Sequence, residues 1–193
     1  MQNPDLLEQN LTREERQKLA NNRAGIAVFQ ISWILAFVCL VIINWQLRLG
    51  YTEWPPPGVE PMGRIIPTFA TAALLISVWL SRRASIAIHN GDRHAFLTQW
   101  GAAIGLGAVF VAVMAYEWLV VPMGTQYGAI FRLMTAFHGL HALVIGAYMA
   151  NVYLKARQRA YDAYDLWWVE AGVKLWVFVA VAWMLFFAVL YWI

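Results

Sequence analysis

Two histidines, His138 and His141, lie three positions apart within a long apolar stretch, and they are the residues of this chain best suited to chemistry. The stretch is about 20 residues long, which is enough to cross a bilayer as a helix. Residues three apart lie on roughly the same helix face. An imidazole in hydrocarbon is costly unless it meets a protein partner or a wet cavity. The sequence therefore predicts polar partners for both rings inside a membrane.

A haem or metal centre is a poor match for this pair. Two axial haem ligands must approach the iron from opposite sides, which histidines one turn apart on one helix cannot do. The other histidines, His89 and His94, fall in a polar loop. Zinc and copper prefer three or four ligands, so the pair with Glu117 makes at most a weak site. We expect no cofactor or metal in this chain, no catalytic residue and no chemistry by this chain alone.

The composition is that of an integral membrane protein. The 193 residues are 61% hydrophobic and only 13% charged, whereas a soluble domain is about a quarter charged. The net charge of +3 does not indicate nucleic acid, because the basic residues fall in short loops as membrane topology requires. The single cysteine, Cys39, cannot form an intramolecular disulfide.

The hydropathy pattern predicts an all-α bundle of five transmembrane helices. The predicted spans lie near 24–46, 65–88, 99–122, 129–154 and 168–193. They form one domain, 24–193, after a polar cytoplasmic tail, 1–23, which has no signal-peptide pattern. Within that tail, Thr12 and Glu15 have the spacing of a capping box, which predicts a short helix at the membrane surface. The prolines at 55–57 exclude helix and predict an extended connection.

The basic residues predict the orientation. One side of the predicted topology carries ten lysines and arginines and the other carries three. Positive residues favour the cytoplasmic side, so we expect the N-terminus in the cytoplasm and the C-terminus in the periplasm or outside the cell. The ten are Arg13, Arg16, Lys18, Arg23, Arg82, Arg83, Arg93, Lys155, Arg157 and Arg159, and the three are Arg48, Arg64 and Arg132.

Two ion pairs are predicted at the ends of the spans. Glu117 and Arg132 flank the short loop between the third and fourth spans, so they could meet near the outer interface. Glu170 and Lys174 are four residues apart in the fifth span, and this order favours a pair within one helix.

Three segments carry a resemblance to a known family. Residues 135–141 read TAFHGLH, residues 116–118 read YEW, and residues 176–183 read WVFVAVAW. The first segment resembles the T-G-F-H-G-x-H stretch of the cytochrome c oxidase subunit III family. The second resembles the glutamate element in that family's preceding helix, and the third resembles its last helix. The resemblance extends over nearly the whole chain, and the missing first two helices mark the short, five-helix bacterial type.

The resemblance implies an accessory subunit of a haem-copper terminal oxidase in a bacterial cell membrane. It implies no haem or copper in this chain; those groups belong to the catalytic subunit I against which it packs, in an oxidase of cytochrome c or quinol type. Bound phospholipids, contacts with other oxidase subunits and a role in aerobic electron transport are also implied. Glu117, His138 and His141 match family positions and would form a buried polar cluster.

Three positions depart from the family pattern. Trp33 stands where the family has a glutamate, and Val177 and Ala180 stand where it has a histidine and an aspartate. Roles tied to those groups do not carry over to this chain. Two alternatives therefore stay open: a subunit-III-like accessory protein of a nitric oxide reductase, and a small stand-alone membrane transporter. The electron donor, the haem type and the identity of the lipids are not readable from the sequence.

Overall fold

The computed structural model describes residues 11–158 and 166–193. Within these ranges the chain is helical and contains no strand, and each of its five helices is long and apolar enough to cross a membrane. This confirms the predicted all-α architecture. The helices are α1 Arg13–Arg48, α2 Ile65–His89, α3 Arg93–Val120, α4 Gln126–Gln158 and α5 Leu166–Tyr191. The first ten residues of the predicted tail, and Arg159 in the charge comparison, lie outside the described residues.

Helix α1 begins at the predicted capping box. The Thr12 backbone N–H donates to Glu15 Oε2 at 2.8 Å, and the Glu15 N–H donates to Thr12 Oγ1 at 3.3 Å. The sequence predicted a separate short helix at the membrane surface, but this helix is continuous with the first membrane span. No proline interrupts it, so it continues for 36 residues, about 54 Å at the usual rise per residue. That length exceeds an apolar layer of about 30 Å, and the polar turns extend beyond it.

The other four helices form a closed ring. Helix α3 packs between α2 and α4, and α5 packs against both α4 and α2. Helix α1 lies beside this ring, with its main contacts to α5 and fewer to α4. One side of α1 consequently faces away from the bundle and carries large apolar side chains, among them Val28, Ile31, Leu35 and Ile42.

Three buried tryptophans tie the ring together. The indole N–H of Trp100 donates to the Met149 carbonyl at 3.0 Å and joins α3 to α4. Trp176 donates to Ser77 Oγ at 2.7 Å, and Trp183 donates to Thr71 Oγ1 at 2.8 Å. These last two bonds join α5 to α2. Since hydrocarbon offers no water, each buried donor must find an acceptor inside the protein.

The connection between α1 and α2 is not helical, as its prolines predicted. It crosses the end of the bundle that carries Arg48, Arg64 and Arg132, which we call the predicted outer end. The backbone N–H of Met62 donates to Tyr127 Oη at 3.0 Å, and the Trp54 and Tyr127 rings lie 5.8 Å apart. These contacts hold the connection against the start of α4.

Gly107 provides a test of the packing between α3 and α5. A Cβ at this position would lie 2.5 Å from Trp176 Cζ2, and the indole is buried and hydrogen-bonded to Ser77. We expect Gly107→Ala to lower the apparent unfolding temperature in mild detergent, because overpacking costs about 1–3 kcal/mol. Gly105→Ala is the matched control, since its Cβ would have no neighbour within 4 Å. Equal unfolding temperatures for both variants would contradict this packing.

Candidate functional site

His138 lies at the centre of the bundle and has one polar partner. Its Nε2–H donates to the Val179 carbonyl at 3.0 Å, which joins α4 to α5. Because a carbonyl only accepts, Nε2 carries the proton, and Nδ1 of the neutral ring is an acceptor. Nδ1 is buried and has no hydrogen-bond partner among the described residues. The rings of Phe110 and Trp183 enclose the imidazole at centroid distances of 5.6 and 5.2 Å.

His141 lies against aromatic rings. Its ring centroid is 4.3 Å from Trp33, 5.6 Å from Phe37 and 5.4 Å from Phe178. Its Nε2 is buried without a hydrogen-bond partner in the part of the chain that is described. The indole of Trp33, at the position where the family pattern has a carboxylate, therefore lies directly beside the second histidine.

Glu117 lies apart from both histidines. It is buried, and Tyr191 Oη of α5 donates to its Oε2 at 3.3 Å. Phe110, the α3 residue that contacts His138, is seven positions earlier, which is about 10 Å along the helix. Within the described residues no hydrogen bond links Glu117 to His138 or His141. The three predicted cluster residues are thus all buried, but each has its own surroundings.

Arg132 has partners other than the predicted Glu117. Its Nη2 donates to the Val121 carbonyl at 3.1 Å, and its guanidinium lies 5.3 Å from the centroid of the Trp118 ring. The arginine thereby binds the end of α3 through a carbonyl and an indole. The positive guanidinium therefore lies at the C-terminus of α3, where the helix dipole favours a cation.

Glu170 likewise has partners on other helices. Its Oε1 lies 3.2 Å from His89 Nε2 and its Oε2 lies 3.9 Å from Arg23 Nη2. His89 Nδ1 donates to the Ser85 carbonyl at 2.7 Å, so both ring nitrogens face acceptors, as suits a doubly protonated imidazole. The carboxylate joins α1, α2 and α5 at the predicted inner end. The backbone carbonyl of Lys174 accepts a hydrogen bond from Gln30 Nε2 at 3.3 Å.

His89 and Arg23 were missed as site residues by the sequence analysis. They lie more than 60 positions from Glu170, and no local spacing signals such a contact. Across the described residues, no group of three or more His, Cys, Asp or Glu side chains has an arrangement that could hold a metal ion. Two of the buried polar side chains form hydrogen bonds between helices, His138 with Val179 and Glu117 with Tyr191.

The comparisons with known proteins identify the family. The family model described as cytochrome c oxidase subunit III matches residues 11–193. The chain belongs to the cytochrome c oxidase subunit III family. A cytochrome c oxidase subunit 3 of Thermostichus vulcanus is 30% identical over 86% of this chain and 85% of that protein. The same-named proteins of Sus scrofa and Synechocystis sp. are 28% and 26% identical over 88% and 86% of this chain, and 69% and 73% of their own lengths.

Membership of the subunit III family confirms the resemblance seen in the sequence. It makes the chain an accessory subunit of a haem-copper oxidase. It also implies association with other oxidase subunits and a multi-pass position in a membrane. The TAFHGLH segment that carried the resemblance lies on α4, where its two histidines face α1 and α5.

The bond between Trp183 and Thr71 can be tested beside the site. Thr71→Val keeps the side-chain shape but removes the acceptor of a buried indole N–H, which costs about 1–3 kcal/mol. We therefore expect a lower unfolding midpoint in mild detergent. Thr68→Val is the control, because Thr68 Oγ1 donates locally, to the carbonyl of Arg64 just before α2, and not to another helix. If both variants unfold together with the unsubstituted chain, the inter-helix bond has no energetic role.

Proposed function

We propose that this subunit III serves a bacterial haem-copper terminal oxidase of aerobic respiration, in the cell membrane, without catalysis of its own. The observation that carries the proposal is the family match over residues 11–193. The Thermostichus vulcanus relative supports the bacterial type, since this chain covers 85% of it but only 69% of the Sus scrofa protein. The subunit would stabilise the catalytic subunit and the lipids between them.

The distribution of polar and apolar groups supports a structural role. His138, Glu117 and the three core tryptophans make their polar contacts inside this chain. The outer side of α1 presents large apolar residues instead. In hydrocarbon, such a side packs on other helices or on acyl chains through shape complementarity. This distribution suits a subunit that acts through its contacts with neighbouring protein and lipid.

The proposed orientation places the N-terminus in the cytoplasm. The asymmetry of ten basic residues against three supports it. In this orientation, the contacts of Glu170 with His89 and Arg23 lie on the inner side, and Glu117 with Tyr191 lies near the outer side. The first set of contacts would then join α5 to α1 and α2 at the inner end of the bundle, and the second would join α5 to α3 at the outer end.

Purification through a tag on this chain tests the proposal. The membrane is solubilised in mild detergent, and the retained proteins are identified by mass spectrometry and a visible spectrum. We expect a haem-copper catalytic subunit with oxygen-reducing activity. Turnover of nitric oxide in place of oxygen would assign the complex to nitric oxide reductases. A chain that purifies alone and colourless in several detergents would overturn the proposal and favour a stand-alone transporter.

The His138 bond should matter for this assembly. His138→Leu removes the bond to the Val179 carbonyl that joins α4 to α5, so the packing of the two helices should loosen. We expect less catalytic subunit per tagged chain after mild-detergent purification, measured by quantitative mass spectrometry. His94→Leu is the matched control, because His94 is exposed near the start of α3. Equal recovery and equal turnover with both variants would contradict a role for His138 in the complex.

A further inference from the structure

A contact at the predicted inner end joins α2 to α5 through two ionisable side chains. His89 Nε2 lies 3.2 Å from Glu170 Oε1, and the two side chains are 24% and 29% exposed. His89 is the last residue of α2 and lies one position beyond the predicted span 65–88. Water can therefore exchange protons with the ring while the carboxylate holds it in place.

Both nitrogens of the His89 ring face acceptors. Nδ1 lies 2.7 Å from the Ser85 carbonyl one turn earlier on α2, and Nε2 faces the Glu170 carboxylate. Only the doubly protonated imidazole can donate at both positions. A neutral ring carries a single proton, so one of the two contacts is lost. With either tautomer the attraction between opposite charges is lost as well.

This contact lies well away from the tryptophan bonds that also join α2 to α5. Trp176 donates to Ser77 at 2.7 Å, and this is the nearer of the two bonds along α2. Ser77 is 12 positions before His89, which is about 18 Å along the helix. An indole and a hydroxyl do not change charge near neutral pH. His89 is therefore placed to alter the inner end of this helix pair while the rest stays packed.

The charges around the contact come from three helices. From α1, Arg23 Nη2 lies 3.9 Å from Glu170 Oε2, and Lys174 lies one turn further along α5 and acts on the same carboxylate. On α3, Arg93 is turned to two carbonyls of α4. Arginine and lysine keep their protons near neutral pH. The His89 ring is thus the member of the group whose charge changes in that range.

We propose that His89 and Glu170 form a pH-dependent clasp between α2 and α5, which is closed while the imidazole is protonated and released when it is neutral. Glu170 then retains its contact with Arg23, so release changes a link among three helices into one between α5 and α1. In the proposed orientation the ring meets the cytoplasm, and the clasp responds to the pH there. The clasp itself requires neither a partner subunit nor that orientation.

The stability of the chain should follow the protonation of His89. The hydrogen bond to Glu170 raises the pKa of His89 above its ordinary value of 6.5, and partial burial opposes this effect. A raised pKa stabilises the folded chain below the ordinary value, and this contribution is lost as the pH rises through the raised pKa. We expect the unfolding midpoint of the full chain in mild detergent to fall by about 2–4 °C between about pH 6 and about pH 9.

Two variants assign this pH dependence to one ring. His89→Gln keeps an N–H donor for Glu170 but does not ionise, so its unfolding midpoint should change less with pH than that of the unsubstituted chain. His94→Gln is the matched control, since His94 is exposed near the start of α3, and it should keep the full dependence. The clasp is overturned if His89→Gln retains that dependence unchanged.

NMR of the full chain with ¹⁵N-labelled histidine measures the protonation of each ring directly, without a variant at His89. We expect His89 to stay doubly protonated at a pH at which the His94 ring is neutral, and Glu170→Gln to abolish this difference. Titration of both rings at the same pH in the unsubstituted chain would overturn the contact. A raised pKa of His89 together with a pH-independent unfolding midpoint would overturn the switch.

Discussion

The structure depends on one constraint: a polar group buried among membrane helices must find its partner within the protein. The core tryptophans show how this is met. Trp176 and Trp183 of α5 donate to Ser77 and Thr71 of α2, and the hydroxyls donate onward to the backbone carbonyls of Ala103 and Pro67. A large apolar ring and a directional bond are thus combined in one side chain. The first fills the space between helices, and the second fixes the rotation of α5 relative to α2.

The histidine motif meets this constraint in part, because Nδ1 of His138 and Nε2 of His141 have no hydrogen-bond partner among the described residues. His138 Nε2 donates to the Val179 carbonyl, and the Phe110 and Trp183 rings pack against the imidazole. His141 lies among rings, with Trp33 the nearest. The contacts that the structure shows for the motif are one hydrogen bond to α5 and ring packing against α1, α3 and α5.

The sequence predicted the helices but gave no signal for several contacts between distant residues, for a physical reason. Hydropathy and caps are properties of neighbouring residues, so five spans and the start of α1 at Thr12 could be read directly. Partners depend on how each helix is rotated within the bundle, which no single segment encodes. Spacing paired Glu170 with Lys174, whereas its contact with His89 of α2, 81 positions away, has no signal in any one segment. The sequence did not predict that α1 is continuous, because the change from polar to apolar residues suggested a break. No proline is present in this segment to interrupt the helix.

The position of α1 has a consequence for the order in which the protein is made. Its main contacts are with α5 and α4, and the hydrogen bonds from Gln30 and Arg48 cross 144 and 141 positions of the chain. Of the five described helices the ribosome synthesises α1 first, and α5, on which α1 mainly packs, fifth. During that interval α1 lacks its main contact surface, which lies on α5. The large apolar side chains on its outer side suit it to lie in hydrocarbon during that interval as well as in the finished bundle.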